Sequence, residues 1–482
     1  MIRSFLKDSA IYVIPSIISR GMSLFLVPLY TRVLSPDDYG ALDLLIMFAG
    51  IVNLTVSLEI SQAVARFYSD ESDPNKKIEY SSSGFWFTLI CYSLFVVICF
   101  PFSKNISTWV MGRNGLELSF QIGLAYIFCN GMMYFVQNQL RWELRSKAYS
   151  LLSLIFSLST AVASIWFAYF LNYGLEGLLI GMVIGSIVGF SIGCWQLRNS
   201  IRLNISRHAL YSMLFFSAPL VPAGIAIWIS GYVDRIMINY FLTLEEVGLY
   251  GIGFRLASIV SIVMVGFQSA LTPLVYTYHS QPDTPFQLSR IFRLFLAFCI
   301  LFSLGINLFV HDILALFTQP AFYDAYQAII YLIPSILLSQ MYIFAPGIFL
   351  AKKTSYVLWI NIFGALVNAL LNYFLIPLMG FSGAGLATML GQGMVFLIYM
   401  ILSQKYYPVP HDWSKLGLVI VLSTGSMILV KSYYSLGWWY YLLCFLVIIF
   451  TMWSFIFLGL IKNDELIHVR KKIKDKVNLV FN

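Results

Sequence analysis

Residues 10–43 read AIYVIPSIISRGMSLFLVPLYTRVLSPDDYGALD, and this stretch decides how the whole chain is interpreted. It begins as an apolar run of membrane-spanning length and ends in a polar turn, residues 35–38, before a second apolar run. Arg20 lies near the middle of the first run. Arginine at mid-bilayer depth costs about 2.5–3.5 kcal/mol on insertion scales, which predicts a functional role. The alternative, a side chain that snorkels from a lipid-facing surface, would require Arg20 to reach a distant interface.

The composition extends this interpretation to the whole chain. Of 482 residues, 59% are hydrophobic and only 11% are charged. Apolar runs of about 18 or more residues recur from end to end, which is typical of polytopic α-helical membrane proteins. We therefore predict an all-α membrane protein of about 14 transmembrane helices, with the first bent at Pro15 and the seventh at Pro219 and Pro222. The expected spans are 10–33, 40–63, 83–102, 117–139, 149–171, 174–196, 212–241, 247–272, 291–310, 326–350, 355–378, 382–402, 414–431 and 438–461.

The distribution of positive charge predicts the topology. Between the expected spans, 23 Lys and Arg residues fall on the side of the N-terminus and 4 on the opposite side. By the positive-inside rule, both termini are expected to be cytoplasmic. The basic C-terminal tail, 462–482, is then a topology determinant that can touch anionic membrane lipid, and no nucleic-acid partner is expected.

Neither a metal site nor a cofactor is expected. The six cysteines all fall within apolar runs, the five histidines are scattered, and no Cys or His pair has metal-ligand spacing. No nucleotide-binding loop is present, which argues against transport driven directly by ATP hydrolysis. The loops outside the membrane are too short for a catalytic domain, so the chain is not expected to be an enzyme.

An internal repeat divides the chain. LSPDDYGALD at 34–43 aligns with LTLEEVGLYG at 242–251, and GLEGLLIGMVIG at 174–185 aligns with GFSGAGLATMLG at 380–391. The offsets, 208 and 206 residues, indicate two duplicated six-helix units. Because six is even, both copies enter the membrane from the same side and form parallel repeats. The expected divisions are an N-lobe at 1–207, a C-lobe at 208–403, two further helices at 404–461 and the tail at 462–482.

These motifs, together with DRIMI at 234–238, resemble the polysaccharide flippases of the multidrug/oligosaccharidyl-lipid/polysaccharide exporter (MOP) superfamily, in particular O-antigen flippases. The resemblance covers essentially the whole chain. It implies two pseudo-symmetric six-helix lobes around a central cavity. It also implies transfer of an undecaprenyl-pyrophosphate-linked oligosaccharide across a bacterial inner membrane, with a polysaccharide polymerase as a candidate partner.

Three arginines inside the expected spans are candidate substrate-binding residues: Arg20, Arg235 and Arg255. A lipid pyrophosphate carries about two negative charges, and guanidinium binds phosphate through two parallel hydrogen bonds. We expect Arg20 and Arg255 to make the main headgroup contacts. Arg235 directly follows Asp234, and the pair is expected either to form separate links between helices or to point toward the interface.

Uncharged and acidic polar residues in the spans complete the candidate set. Asn53, Asn361 and Asn368 are candidate sugar contacts, although amides also join helices within membranes. Asp43, Glu59 and Asp234 are candidates for gating or for coupling to a proton or sodium ion.

Two other functions fit parts of this pattern. A multidrug or cation antiporter of the same superfamily would share the helices, but two extra helices and a basic cavity disfavour it. An integral-membrane polysaccharide polymerase or ligase would need a sizeable outward loop, which the sequence lacks.

Overall fold

The computed structural model describes residues 26–431, 433–434 and 437–461. All regular elements in these ranges are helical, which confirms the all-α prediction. Three 3-10 segments (Phe100–Phe102, Pro320–Ala325 and Met341–Phe344) and a π-helical segment (Ile165–Phe170) supplement the α-helices. The α-helices are α1 (Val27–Val33), α2 (Pro36–Thr55), α3 (Ile60–Asp70), α4 (Pro74–Cys99), α5 (Ser103–Met111), α6 (Glu117–Trp142), α7 (Ser146–Ser164), α8 (Gly174–Gln196), α9 (Arg207–Ser217), α10 (Leu220–Phe241), α11 (Leu244–Ala257), α12 (Val260–Tyr278), α13 (Thr284–Leu308), α14 (Val310–Phe317), α15 (Tyr326–Gln340), α16 (Gly347–Leu350), α17 (Thr354–Met379), α18 (Phe381–Tyr406), α19 (Trp413–Lys431) and α20 (Trp438–Phe457).

Within the described part of the chain, thirteen helical stretches are long and apolar enough to cross a membrane. They correspond one to one with the second to fourteenth predicted spans, so the chain is a multi-pass integral membrane protein. The first predicted span, 10–33, lies mostly outside the described residues. Large apolar side chains remain exposed along the helices, for example Trp109 at 79% and Trp438 at 83%. Such surfaces are stable where lipid replaces water.

Several predicted spans are interrupted: the eighth breaks between α11 and α12, and the tenth between α15 and α16. The second span was expected to be continuous, but α2 ends at Thr55 and α3 begins at Ile60. Between them Leu58 and Glu59 adopt positive φ angles of 49° and 52°, a left-handed backbone that ends the first helix. The seventh span breaks between α9 and α10 at Pro219, as predicted, whereas Pro222 lies in the first turn of α10. Pro15 lies outside the described residues.

The helices form two compact units. Unit 1 comprises the described part of Met1–Ile262 together with Phe317–Ala328 and Ala365–Thr388. Unit 2 comprises the described parts of Val263–Leu316, Ile329–Gly364 and Met389–Asn482. A buried cluster from α3, α4, α6, α7, α8 and α9 forms one core of unit 1. In unit 2, α13, α19 and α20 pack around Leu304, Met427 and Cys444.

The first sequence repeat is also a repeat of local structure. Ser35 caps α2 by accepting a hydrogen bond from the Asp38 N–H, and Thr243 caps α11 by accepting one from the Glu246 N–H. These caps lie 208 residues apart, and each accepts a hydrogen bond from a backbone N–H of the first turn that has no partner within the helix. Gly40 lies against the Leu244 carbonyl, and Gly248 lies against the Pro36 carbonyl. Each glycine thus packs on the other copy, and a Cβ atom at either position would collide with backbone.

The second repeat behaves in the same way. Gly174 and Gly380, immediately before or at the start of α8 and α18, have φ angles of 54° and 67°, which favour glycine. One turn later, Gly177 packs against the backbone of 167–168 and Gly383 against that of 375–376. Equivalent residues in the two copies therefore perform the same structural role, which confirms the pseudo-symmetric duplication.

Candidate functional site

A buried ion pair joins α2 to α10 inside unit 1. The Arg235 Nε donates a hydrogen bond to Asp43 Oδ2 at 2.5 Å, and the Arg235 side chain is only 5% exposed. The guanidinium also lies over the rings of Tyr232, Tyr250 and Phe254, with 4.6 Å to the Phe254 centroid. Carboxylate and aromatic faces together compensate the cost of burying this cation.

Asp234, the residue before Arg235, is the centre of a separate hydrogen-bond network. Asp234 Oδ2 accepts hydrogen bonds from the Tyr250 hydroxyl at 2.6 Å and from the Thr388 hydroxyl at 2.8 Å. Asp234 Oδ1 accepts one from the Asn372 amide at 2.8 Å. Asn368 donates to Thr388 and accepts from Asn372. The carboxylate therefore accepts hydrogen bonds from hydroxyl and amide groups of side chains on α11, α17 and α18.

The network leaves one acceptor unused. Asn372 is fully buried, and its Oδ1 atom has no hydrogen-bond partner among the described residues. A buried polar atom without a partner costs free energy, so such an atom in a native protein is a candidate contact for a bound ligand or ion. Together with the Asp234 carboxylate, it offers oxygen ligands of the kind that hard cations prefer.

Asp234 and Arg235 thus form separate links between helices, which was one of the two expected arrangements. Adjacent residues point about 100° apart around a helix, so Arg235 reaches α2 while Asp234 reaches α11, α17 and α18. Both residues are 4% exposed, which excludes the alternative in which they point toward the interface.

Arg255 lies one helical turn beyond Gly251, the residue of α11 that approaches Asp43. Its guanidinium lies over the Tyr39 ring at 5.2 Å and the Tyr30 ring at 5.9 Å. Within the described residues, no carboxylate lies within ion-pair distance of it. The Tyr39 hydroxyl beside it is buried and has no described hydrogen-bond partner. Among the described residues, the contacts of the Arg255 guanidinium are therefore with aromatic rings.

The other predicted residues are dispersed. Asn53 accepts a hydrogen bond from Tyr92 on α4, and Asn361, in unit 2, donates to Tyr399. Glu59 lies at the break between α2 and α3, where no described basic side chain forms an ion pair with it. Arg20 lies outside the described residues. Of the predicted residues, the structure thus brings five into one region of unit 1: Asp43, Asp234, Arg235, Arg255 and Asn368.

The residues joined there by hydrogen bonds and the ion pair are called the polar cluster: Asp43, Asp234, Arg235, Tyr250, Asn368, Asn372 and Thr388.

Sequence reasoning did not assign a site role to Tyr250, Thr388 or Tyr39. Asn372 was detectable, since it lies four residues after Asn368 and so shares its helix face. Tyrosine and threonine carried no comparable signal. The chain contains 30 tyrosines, and most such residues in membrane helices serve interfacial belts or helix contacts.

Comparison with known proteins identifies relatives of the chain. A family model described as polysaccharide biosynthesis protein matches residues 29–330, well over half of the sequence. Lsg locus putative protein 1 of Haemophilus influenzae is 26% identical over 278 residues, covering 56% of this chain and 65% of that protein. The probable low-salt glycan biosynthesis flippase Agl15 of Haloferax volcanii is 22% identical over 414 residues, covering 85% of this chain and 86% of Agl15.

Solved structures share the fold. Lipid II flippase MurJ in an inward closed conformation matches with a TM-score of 0.69 and 17% identity, covering 92% of this chain and 97% of MurJ. An inward-facing multidrug resistance MATE family transporter of the MOP superfamily matches with a TM-score of 0.62 and 15% identity, covering 80% of this chain and 94% of the transporter. At these identities the similarity establishes the fold.

Proposed function

Since the chain belongs to the polysaccharide biosynthesis protein family, we propose that it is a flippase for a lipid-linked oligosaccharide. The proposed substrate is an undecaprenyl-pyrophosphate-linked repeat unit of O-antigen or a similar surface polysaccharide. The protein moves this unit from the inner to the outer leaflet by alternating access between the two predicted lobes, and no covalent bond changes. The name of Agl15 and the shared fold with MurJ support this assignment.

Arg255 is the observation that carries the proposal. A flippase of this kind must hold a pyrophosphate within the bilayer, where an uncompensated anion is costly. One guanidinium–phosphate contact at 4 Å contributes on the order of 4 kcal/mol at an effective dielectric near 20, before desolvation. Arg235 forms an ion pair with Asp43, whereas no described carboxylate lies within ion-pair distance of Arg255, and Asp43 acts on it only at longer range. In this proposal Arg20 supplies a second headgroup contact, and Asn53, Asn361 and Asn368 contact the sugar.

The proposed setting follows from the same assignment. The protein resides in a bacterial inner membrane with both termini in the cytoplasm, and a polysaccharide polymerase uses the delivered substrate. Multidrug or cation antiport is the second candidate function, because the fold is also that of a multidrug transporter. An integral-membrane polymerase or ligase is the third, and neither the relatives nor the site favours it.

Transport by the purified protein tests the proposal. Proteoliposomes containing fluorescent undecaprenyl-pyrophosphate oligosaccharide are expected to expose the inner-leaflet pool to an added membrane-impermeant quencher within minutes, whereas protein-free liposomes keep it protected. Efflux of an organic-cation dye from the same vesicles is measured in parallel. Dye efflux without movement of the lipid would favour the antiporter and contradict the flippase.

A coupling cation is proposed to bind at Asp234. The buried carboxylate, the unused Asn372 Oδ1 and the Thr388 hydroxyl offer oxygen atoms for a proton or a sodium ion. The Asp43 carboxylate is already paired with Arg235. Asp43 is therefore proposed to act as a latch, a residue whose ion pair holds α2 against α10, rather than as an ion ligand. Glu59, at the helix break, is the remaining candidate for gating.

Asp234→Asn is expected to abolish accumulation of the lipid driven by an imposed sodium or proton gradient, because the neutral amide cannot exchange a cation. The measurement compares lipid flipping in proteoliposomes with and without each gradient, and the ion whose gradient stimulates the wild type identifies the coupling species. Asp312→Asn is the matched control, since Asp312 also accepts a hydrogen bond from a tyrosine but lies outside the polar cluster. Gradient-driven accumulation that survives in Asp234→Asn would contradict this ion site.

A further inference from the structure

The linker between the two sequence repeats, residues 197–206, follows a fixed path along α4 inside unit 1. The backbone N–H of Arg202 donates to the Ser82 hydroxyl at 2.8 Å, and the backbone N–H of Ser206 donates to the Ser83 hydroxyl at 3.0 Å. Both of these α4 serines are fully buried, so the contacts tie the linker to the helix beneath it. The exposed side chains of the linker are therefore positioned before any partner binds.

These hydrogen bonds bring two arginines together. The two serines are adjacent on α4, so Arg202 and Arg207, which follows Ser206, start from neighbouring points on that helix. Trp86, one turn further along α4, donates its indole N–H to the Arg202 carbonyl at 2.9 Å and fixes this part of the linker a second time. Two guanidiniums thus project from one rigid stretch of backbone.

The surface of the linker is positively charged. Arg198, Arg202 and Arg207 are all exposed, and the sequence has no Asp or Glu at 177–233. Among the residues that the structure describes, no carboxylate lies within ion-pair distance of any of these three arginines. The guanidinium of Arg198 instead lies over the Trp195 ring, 5.2 Å from its centroid. A phosphate can therefore contact these cations without displacing a described carboxylate.

Apolar side chains are interspersed with the arginines. Leu203 is 90% exposed and Ile205 is 47% exposed. The rings of Trp195 and Tyr211, on either side of the linker, are 66% and 72% exposed. Leucine and isoleucine gain free energy when lipid covers them, and Trp and Tyr are enriched where a membrane meets water. The combination of basic, aliphatic and aromatic side chains is typical of a surface that lies on a membrane.

The place of the linker in the fold favours a lipid over a soluble acidic partner. It joins the end of the membrane-spanning helix α8 to the start of the seventh predicted span, and the proposed topology puts it at the cytoplasmic surface. Anionic lipid in that leaflet attracts basic segments by about 1 kcal/mol per Lys or Arg. A phospholipid also supplies both groups that the linker matches, a phosphate and an apolar chain.

We propose that this linker is a docking surface for anionic glycerophospholipids of the cytoplasmic leaflet. Arg198, Arg202 and Arg207 contact the lipid phosphates, while Leu203 and Ile205 lie among the glycerol groups and the first acyl carbons. The proposal uses the proposed topology but not the transport activity, because its test measures contact with lipid rather than flipping.

A fluorophore on the linker tests this surface in the full-length protein. Asn204→Cys is labelled in nanodiscs, and quenching by brominated phosphatidylglycerol is compared with quenching by brominated phosphatidylcholine at equal mole fraction. Label on the native cysteines is measured with the wild type and subtracted. Phosphatidylglycerol is expected to be enriched at the label about tenfold or more, as several charges at a membrane surface require. Equal quenching by the two lipids, or quenching by neither, would overturn the proposal.

Substitutions assign the contacts. Arg202→Gln and Arg207→Gln should each lower the preference for phosphatidylglycerol about two- to fivefold, a loss of no more than about 1 kcal/mol per charge. Lys405→Gln, the matched control, removes an exposed charge on the same predicted face outside the linker and should have no effect. An equal loss in Lys405→Gln would show a general charge effect and overturn the site. Leu203→Ser should reduce quenching by both lipids, and unchanged quenching would contradict the insertion of this leucine.

Soluble competitors separate phospholipid from other anions. Inorganic phosphate at millimolar concentration and poly-glutamate should both leave quenching by phosphatidylglycerol unchanged. Displacement by phosphate would assign the surface to a dissolved anion, and displacement by poly-glutamate would assign it to an acidic protein; either result would overturn the proposal. Unchanged melting of each variant shows that folding is intact.

Discussion

Replacing Arg255 by alanine is expected to reduce flipping of a pyrophosphate-linked sugar by about 10- to 100-fold. The loss corresponds to one charge-assisted contact of about 1.5–3 kcal/mol, made by a guanidinium that has no described carboxylate within ion-pair distance. In cells that depend on this protein, surface polysaccharide should be lost while the amount of protein stays normal. The measurements are the quencher assay in proteoliposomes and immunoblotting of polysaccharide and protein. Arg20→Ala, in the predicted first span, is expected to have a comparable effect.

Two variants sharpen the Arg255 experiment. Arg255→Lys keeps the charge but loses the planar pair of donors, so its activity should fall between those of wild type and Arg255→Ala. Arg66→Ala is the matched control, because Arg66 forms an exposed pair with Asp70 one turn along α3, and such pairs contribute little. Full activity in Arg255→Ala would remove the main support for the headgroup role.

Breaking the Asp43–Arg235 pair is expected to destabilise the protein by about 3–5 kcal/mol, since either single substitution leaves a buried charge without its partner. Asp43→Asn and Arg235→Gln should each lower the free energy of unfolding. The double variant should be less destabilised than the sum of the two, because no unpaired charge remains. Denaturant unfolding in detergent, followed by the fluorescence of a reporter tryptophan, gives the four values of this double-mutant cycle.

An exposed ion pair in the same unit provides the comparison. Arg113 and Asp38 are 2.7 Å apart, with side chains 42% and 30% exposed. Arg113→Gln should cost no more than about 1 kcal/mol, because water screens the pair. If Asp43→Asn were equally mild, the aromatic rings around Arg235 would suffice to hold its charge, and the latch role of Asp43 would be wrong.

The sequence predicts the helices well because lipid imposes a simple rule. A spanning segment must be apolar and must satisfy its own backbone, so hydropathy alone locates the thirteen membrane-length helical stretches of the described residues. Breaks are harder to predict. Pro219 indicates one break in advance. The break at Leu58 and Glu59 could not be predicted in this way, because the backbone there is left-handed although no glycine or proline lies between Thr55 and Ile60.

The candidate site divides in a similar way. Asp234, Arg235 and Arg255 were found because charge within a membrane is rare and therefore informative. Their partners were not found, because Asp43 is 192 residues from Arg235 and nothing local connects them. Glu59 was chosen by the same rule as Asp234, yet the fold places it at a helix break. Asn53 was chosen as a polar side chain that could contact sugar, yet the fold places it against Tyr92.

The reciprocal packing of Gly40 and Gly248 has a consequence for the origin of the chain. Pro36 of the first copy meets Gly248, and Leu244 of the second copy, its equivalent, meets Gly40. Such exchange of identical positions is the defining property of an isologous interface, in which one patch is complementary to itself. It follows that a half-length ancestor already carried both sides of this contact and could have assembled as a symmetric homodimer before its gene was fused in tandem.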